Sequence, residues 1–180
     1  MSKYPTCRLT PSTQRMRGFT LIELLAVIAL MAIMATWVVP SFQSLAERNR
    51  VSVEVMRLMG ALGQARSTAI TRREEAVICP TRNQSECDAD WKLQLMLFID
   101  KDGTPAERTN DEAILKVWPA SEVAALDYSG FGSNRYLRYR ANGRPKGQNG
   151  TFNLCSFSGN NVSLVLSSHG RLRVAEDEDC

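Results

Sequence analysis

The sequence contains one histidine, His169, among its 180 residues. A Ser-His-Asp or Cys-His arrangement needs a histidine beside its nucleophile, so only one position in the chain could supply it. The five cysteines have no CxxC spacing, and only one histidine could join them as a ligand, so the sequence does not favour a zinc site. In FIDKDG, the glycine that follows Asp100 and Asp102 comes too early for an EF-hand, which favours a hairpin turn. We therefore expect a protein that is not an enzyme and that has no cofactor and no metal site.

Acidic residues are absent before Phe19, where Lys3, Arg8, Arg15 and Arg17 make the N-terminus basic. Without these four, 18 basic residues remain against 19 acidic ones, so the rest of the chain is close to neutral. Net charge therefore gives no argument for an anionic partner of that part. Only local basic patches need to be considered.

Residues 19–39 form an apolar run, FTLIELLAVIALMAIMATWVV, in which Glu23 is the one ionisable side chain. About 20 apolar residues span a bilayer core as a helix, so the run predicts a membrane helix. The basic stretch before it predicts a cytoplasmic start and an exported remainder. A secretory signal has its cleavage site after the apolar run, whereas the most distinctive junction here, Gly18-Phe19, precedes it. The anchor is expected to survive processing.

The segment RGFTLIELL, residues 17–25, resembles the class III signal of type IV prepilins and pseudopilins. In that family a prepilin peptidase cuts after the glycine, here Gly18, and methylates the new N-terminal residue, here Phe19. The resemblance also implies that Glu23 helps subunits to enter the filament. A charge at membrane depth costs about 2.5–3.5 kcal/mol. The terminal ammonium of a neighbouring subunit would compensate it and set the axial register. The alternative is a polar residue tolerated near the membrane interface.

The helix is predicted to kink at Pro40 and to continue to about Arg72. Its second half has apolar residues at three-to-four spacing, while the polar ones fall largely elsewhere, so one face is expected to pack. The apolar set is Val55, Met59, Leu62, Ala65 and Ala69, and the polar set is Glu54, Arg57, Gln64 and Arg66.

Beyond Arg73, short β-like runs alternate with turns and predict an antiparallel sheet, which the amphipathic half of the helix would cover. The runs are EAVIC, WKLQLMLFI, AILKVW, RYLRYRA, TFNLCSF, VSLVLSS and RLRVA. The predicted class is α+β. The predicted organisation is a leader at 1–18, a membrane and assembly segment at 19–40, an amphipathic helical segment at 41–73 and a β domain at 74–180.

Most of the chain resembles the FimT, FimU and GspH group of minor pilins and pseudopilins. The matching segments are AERNR at 46–50, ARSTAITRR at 65–73, ICP at 78–80 and GRLR at 170–173. The resemblance implies a single-pass inner-membrane protein with its C-terminal domain in the periplasm. After assembly it would lie near the tip of a pilus at the cell surface, with major and minor pilins as partners and prepilin peptidase as processing enzyme.

Four cysteines lie in the part that we expect to be exported: Cys79, Cys87, Cys155 and Cys180. An even set in an oxidising compartment suits two disulfides, although the sequence allows alternative pairings. We favour Cys79 with Cys87 across a short loop. Cys155 with Cys180 would then tie the C-terminal end back onto the sheet.

The GRLR tetrad, Gly170 to Arg173, comes just before the last predicted strand. Period-two alternation puts Arg171 and Arg173 on one face of the strand. Two guanidiniums there could bind successive phosphates, and Gly170, which has no side chain, would let a backbone approach closely. The tetrad resembles the GRxR motif of FimT-type minor pilins, which contributes to DNA binding during natural transformation. The alternative is that these are two arginines on the solvent-exposed face of an edge strand, without a role in DNA binding.

A second basic stretch could extend the tetrad, since basic and aromatic side chains together suit phosphate contacts and base stacking. We assign Arg138 and Arg140 to DNA binding, with Arg135, Arg144, Lys146, Tyr136 and Tyr139 as neighbours. Against this, the four acids at 176–179 follow the tetrad and would weaken a phosphate site unless a Cys155–Cys180 bridge folds them away.

Three functions therefore remain. The first is a minor pilin that binds double-stranded DNA weakly and without sequence specificity. The second is a structural minor pilin that primes assembly without touching nucleic acid. The third is a GspH-like minor pseudopilin of a type II secretion system, which would share every N-terminal feature with the other two.

Overall fold

The computed structural model describes residues 18–157, 159 and 161–176. Most of the predicted leader, the acidic residues from Asp177 onward and Cys180 lie outside the described residues. By its contacts the chain divides into two compact units, Met1–Ser41 and Phe42–Cys180.

Helix α1 spans Leu21–Arg72, close to the predicted bounds. Thr20 begins it, because its hydroxyl oxygen accepts a hydrogen bond from the backbone N–H of Glu23 at 3.3 Å. Pro40 lies inside the helix, and the predicted kink there stays a prediction. By length and composition α1 is able to cross a membrane, and its most apolar window has no buried residue.

Eight strands follow the helix and form two antiparallel sheets of four strands each. The first sheet has the order β3-β2-β1-β5, in which β1 is Ala76–Thr81, β2 is Gln94–Ile99, β3 is Ile114–Trp118 and β5 is Leu137–Tyr139. The second has the order β4-β6-β7-β8, in which β4 is Ala125–Gly130, β6 is Gly150–Cys155, β7 is Val162–Leu166 and β8 is Leu172–Glu176. The α+β class with a long N-terminal helix is confirmed, whereas the expectation of one sheet is wrong.

Strand β4 is missing from the predicted runs because its sequence, ALDYSG, contains Asp, Ser and Gly, which strands disfavour. Its period-two pattern is nevertheless real, since Leu126 and Tyr128 are buried and Asp127 is exposed. Pairing with β6 over the whole strand overrides the weak local preference.

The core lies between the second half of α1 and both sheets. The helix contributes Val51, Val55, Leu58, Ala61, Leu62, Ala65 and Ala69, and the strands contribute side chains such as Leu95, Phe152 and Leu164. Trp91 is fully buried and packs edge-on against Phe152, with ring centroids 4.9 Å apart. Of the apolar residues predicted for the packed face, Val55, Leu62, Ala65 and Ala69 are buried, whereas Met59 is 38% exposed.

Candidate nucleic-acid interface

The tetrad lies at the hairpin that joins β7 to β8, a segment that we call the β7–β8 turn, residues 167–171. Ser167 N–H donates to the carbonyl oxygen of Arg171 at 3.0 Å, and Gly170 N–H donates to that of Ser167 at 2.9 Å. Arg171 N–H donates to the Ser167 hydroxyl at 3.1 Å. Gly170 has a φ of 76°, a conformation that favours glycine. The turn therefore has a defined shape that depends on Gly170.

The sequence predicts that Gly170 lets a backbone approach closely. In the structure, the backbone that approaches Gly170 belongs to the protein itself. A Cβ atom at Gly170 would lie 2.6 Å from the carbonyl oxygen of Gly143. Gly170 is buried, unlike Arg171 beside it. The close approach is thus an internal one, and Gly170 shapes the turn rather than offering a surface.

Arg171 and Arg173 both project away from the core at the start of β8, an edge strand that pairs with β7. Leu172 between them is half-buried against the core, as period-two alternation requires. Both arginines are exposed. Among the described residues, neither guanidinium has a hydrogen-bond or ion-pair partner.

Arg138 is the assigned residue that the structure removes from the interface. Its side chain is 16% exposed and forms ion pairs with Asp100 at 3.0 Å and with Glu75 at 3.2 Å. β5 places Arg138 opposite Val77 of β1, while Asp100 directly follows β2 on the other side of β1. Because two carboxylates of the protein already pair with its guanidinium, Arg138 has a structural role, and these ion pairs argue against its predicted contact with DNA.

The neighbouring basic residues divide into engaged and available ones. Lys146 pairs with Glu75 at 2.9 Å, and Arg135 donates to the carbonyl oxygen of Cys87 at 2.6 Å. Arg140 and Arg144 are exposed, and their guanidiniums have no partner within the described part of the chain. The second basic stretch therefore leaves two arginines for an external anion, of which the sequence assigned Arg140.

Base stacking on the interleaved tyrosines is not supported by their positions. Tyr139 is 1% exposed and belongs to the core, and burial raises the pKa of its hydroxyl. Tyr136 is partly buried against a small cluster that includes Cys79 and Cys87. Any contact with nucleic acid here would therefore rest on phosphate rather than on stacked bases.

The acidic turn after β2 contains Asp100 and Asp102, whose carboxylate oxygens lie within 4.8 Å of one from Glu112. Asp100 accepts a hydrogen bond from Gly103 N–H at 2.7 Å and pairs with Arg138. Glu112 accepts from Lys101 N–H at 2.6 Å and from Thr109 N–H at 3.0 Å. These hydrogen bonds shape the loop of residues 100–113, which joins the antiparallel strands β2 and β3 and is longer than a simple hairpin turn.

The residues of the predicted processing site are all described. Gly18 has open space around it, and Phe19 is 83% exposed. Glu23 lies in the first turn of α1, three residues after its capping Thr20. The spacing Thr20-x-x-Glu23 is that of a capping box, of which the bond from Glu23 N–H to the Thr20 hydroxyl is one half. This pattern is readable from the sequence but is absent from the expectations above.

A disulfide joins Cys79 on β1 to Cys87 in the following loop, so this predicted pairing is confirmed. Cys155, the last residue of β6, is also disulfide-bonded. The predicted partner, Cys180, lies outside the described residues.

Comparisons with known proteins place most of the chain in one family. The family model described as "Type II transport protein GspH" matches residues 54–171, about two thirds of the chain. A second model, described as "Prokaryotic N-terminal methylation motif", matches residues 13–39.

Among solved structures, the fold is similar to the type IV minor pilin FimU of Pseudomonas aeruginosa. The TM-score is 0.55 at 25% identity, over 73% of this chain and 92% of FimU. A fimbrial protein of P. aeruginosa is 32% identical over 98 residues, 49% of this chain and 63% of that protein. The type IV major fimbrial protein FimA of Dichelobacter nodosus is 33% identical over 97 residues, 54% of each chain. This chain thus spans less than two thirds of these curated relatives.

Proposed function

Because this chain belongs to the GspH family of pilins and pseudopilins, we propose that it is a type IV minor pilin that holds double-stranded DNA through Arg171 and Arg173. The observation that supports this most is the availability of these two guanidiniums. They lie on one outward face of an edge strand, and no described residue engages them. Arg138, Arg135 and Lys146 are occupied by protein groups and are left out of the proposal.

The proposed contact is electrostatic and reads no sequence. Arginine forks bind phosphate oxygens through charge-assisted hydrogen bonds, and such contacts gain mainly from counterion release. Binding should therefore be weak and strongly salt-dependent, as suits a filament that captures DNA during natural transformation.

The first prediction concerns DNA binding by the full-length chain in nanodiscs of neutral lipid. We expect salt-dependent binding to duplex DNA that Arg171→Ala/Arg173→Ala weakens. The slope of log K against log salt should become shallower by about 2, since two phosphate contacts are lost. Fluorescence anisotropy with one labelled duplex over a salt series measures both quantities.

The matched control is Arg48→Ala/Lys116→Ala, which removes the same charge. Arg48 is exposed near the start of the Phe42–Cys180 unit, and Lys116 lies on β3, an edge strand of the other sheet. If both double variants weaken DNA binding equally, the effect comes from the loss of net charge and not from a contact at Arg171 and Arg173. Undiminished binding by Arg171→Ala/Arg173→Ala would refute the contact.

We also propose that prepilin peptidase cleaves after Gly18 and methylates Phe19. The match of the methylation model to residues 13–39 supports this proposal. Until assembly the apolar part of α1 would hold the chain in the inner membrane, with the β domain in the periplasm. Glu23 would then pair with the terminal ammonium of a neighbouring pilin in the filament, near whose tip we place this subunit.

A second candidate is a minor pseudopilin of a type II secretion system, which the description of the matching family model favours. The similarity to FimU favours the pilus instead. Deleting the gene separates the two, since loss of surface pili with normal protein secretion supports the pilus, and the reverse supports the secretion filament.

A further inference from the structure

Two turns from different sheets meet on the last part of α1. The first follows β5, an edge strand of one sheet, and we call residues 140–144 the β5 turn. The second is the β7–β8 turn, which leads into an edge strand of the other sheet. The carbonyl oxygen of Gly143 in the first lies 2.6 Å from where a Cβ at Gly170 in the second would be. The two turns therefore touch through their glycines.

Two exposed arginines lie in the β5 turn, and two more lie in the β7–β8 turn or just after it. Arg140 and Arg144 flank the β5 turn, since Arg140 N–H donates to the carbonyl oxygen of Arg144 at 2.9 Å. Arg171 ends the β7–β8 turn, and Arg173 follows it on β8. In the described part of the chain, no carboxylate forms an ion pair with any of the four. Among the described residues, four guanidiniums without an ion-pair partner thus lie in or just after two turns that are in direct contact.

Arg66 of α1 lies against both turns. Its Nη1 atom donates a hydrogen bond to the carbonyl oxygen of Gly170 at 2.7 Å. Its Nε atom lies 3.2 Å from the position of a Cβ at Gly143 and 3.4 Å from that of a Cβ at Gly170. Glycine at both positions leaves the room that this side chain occupies. Arg66 therefore bridges the helix and the contact between the turns.

We propose that the two turns form one composite phosphate-binding surface, made of Arg140, Arg144, Arg171 and Arg173, and that Arg66 is the positioning residue that holds them together. The inference rests on the proposed DNA contact and extends it, because half of the surface lies outside the tetrad. The ligand class is a chain of regularly spaced phosphates, as in duplex DNA.

A positioning role fits Arg66 better than a direct contact with DNA. Its side chain is half-buried, unlike those of the four arginines, and one of its donors is bound to Gly170. Its positive charge also acts on the hydroxyl of buried Tyr139, whose pKa burial raises and Arg66 lowers in part. The guanidinium thus faces inward, between the helix and the turns.

The experiment is a double-mutant cycle on the full-length chain in neutral-lipid nanodiscs, with one labelled duplex as probe. Arg140→Ala/Arg144→Ala should weaken binding roughly 30-fold near 0.15 M salt, from counterion release by two contacts. Arg66→Met retains an unbranched side chain but removes the guanidinium, and with it the hydrogen bond to Gly170. In the Arg66→Met background, the same double substitution should weaken DNA binding less than about threefold, because the two turns are no longer held at a fixed position relative to each other.

Each result separates this inference from the proposed function. The same factor in both backgrounds would show that Arg66 acts independently and would refute its positioning role. If Arg140→Ala/Arg144→Ala binds as the unchanged chain does while Arg171→Ala/Arg173→Ala does not, the tetrad alone binds DNA and the composite surface is wrong. Absence of binding by the unchanged chain overturns both. Near-ultraviolet circular dichroism and Tm verify that each variant is folded, and Arg48→Met is the charge control for Arg66→Met.

Discussion

At Glu54 and Arg57, two charged side chains on α1 lie almost wholly out of contact with solvent. Their side chains are 5% and 9% exposed, and their nearest charged atoms are 2.7 Å apart. Arg57 also donates to the carbonyl oxygen of Pro119 at 2.9 Å. Helical spacing places both residues largely off the predicted packed face, but the segment around Pro119 covers this side of the helix as well.

At this scale we predict that Glu54→Ala lowers the free energy of unfolding by about 3–5 kcal/mol, because it leaves a buried guanidinium without its counterion. Glu54→Leu/Arg57→Met should cost far less, since neither charge then remains to be desolvated. Urea unfolding of the full-length chain in nanodiscs, followed by near-ultraviolet circular dichroism, measures both. A double variant as unstable as Glu54→Ala would contradict the explanation.

At the scale of secondary-structure elements, α1 contains Gly60 and Gly63 within its second half, although glycine weakens helices. Both are exposed, and a Cβ at either would have no described neighbour within 4 Å. The packing of the described residues therefore does not require glycine there. Gly143 and Gly170 differ, since a Cβ at either would meet protein atoms.

We predict that Gly60→Ala and Gly63→Ala each raise the free energy of unfolding by about 0.5–1 kcal/mol, because alanine loses less backbone entropy in a helix. The same urea unfolding measures this gain. Gly170→Ala is the opposing control and should lower stability. A loss of stability in Gly60→Ala would show that this face of α1 is packed within the subunit.

At the scale of the whole molecule, we propose that the N-terminal segment is the site of both cleavage by prepilin peptidase and assembly into the filament. Thr20 starts the helix, and Glu23 occupies the position that completes a capping box. A capping role of Glu23 within the helix is therefore the alternative to a charge pair with another subunit. The two roles are separable, since glutamine also serves in a capping box but carries no charge.

We predict that Glu23→Gln and Glu23→Ala both insert into the membrane normally and both fail to enter filaments efficiently, since each removes the charge that would meet a neighbour's terminal ammonium. Immunoblots of membrane and sheared-filament fractions measure insertion and incorporation. Gly18→Ala is the processing control and should keep the leader attached. Normal incorporation of Glu23→Gln would contradict the charge pair, and poor incorporation of Glu23→Ala beside it would assign Glu23 to helix capping.

The sequence by itself determined the features that short stretches encode. The apolar run, the processing motif and the end of α1 near Arg72 are read from neighbouring residues, and the Cys79–Cys87 pair spans a separation of only 8 residues. Only the tertiary structure decided which arginines are available. Arg138 and Arg140 are two residues apart and look alike in the sequence, yet Arg138 meets Asp100 and Glu75 and Arg140 meets neither. Strand pairing brings those carboxylates from 38 residues or more away along the chain, a distance over which local patterns carry no information.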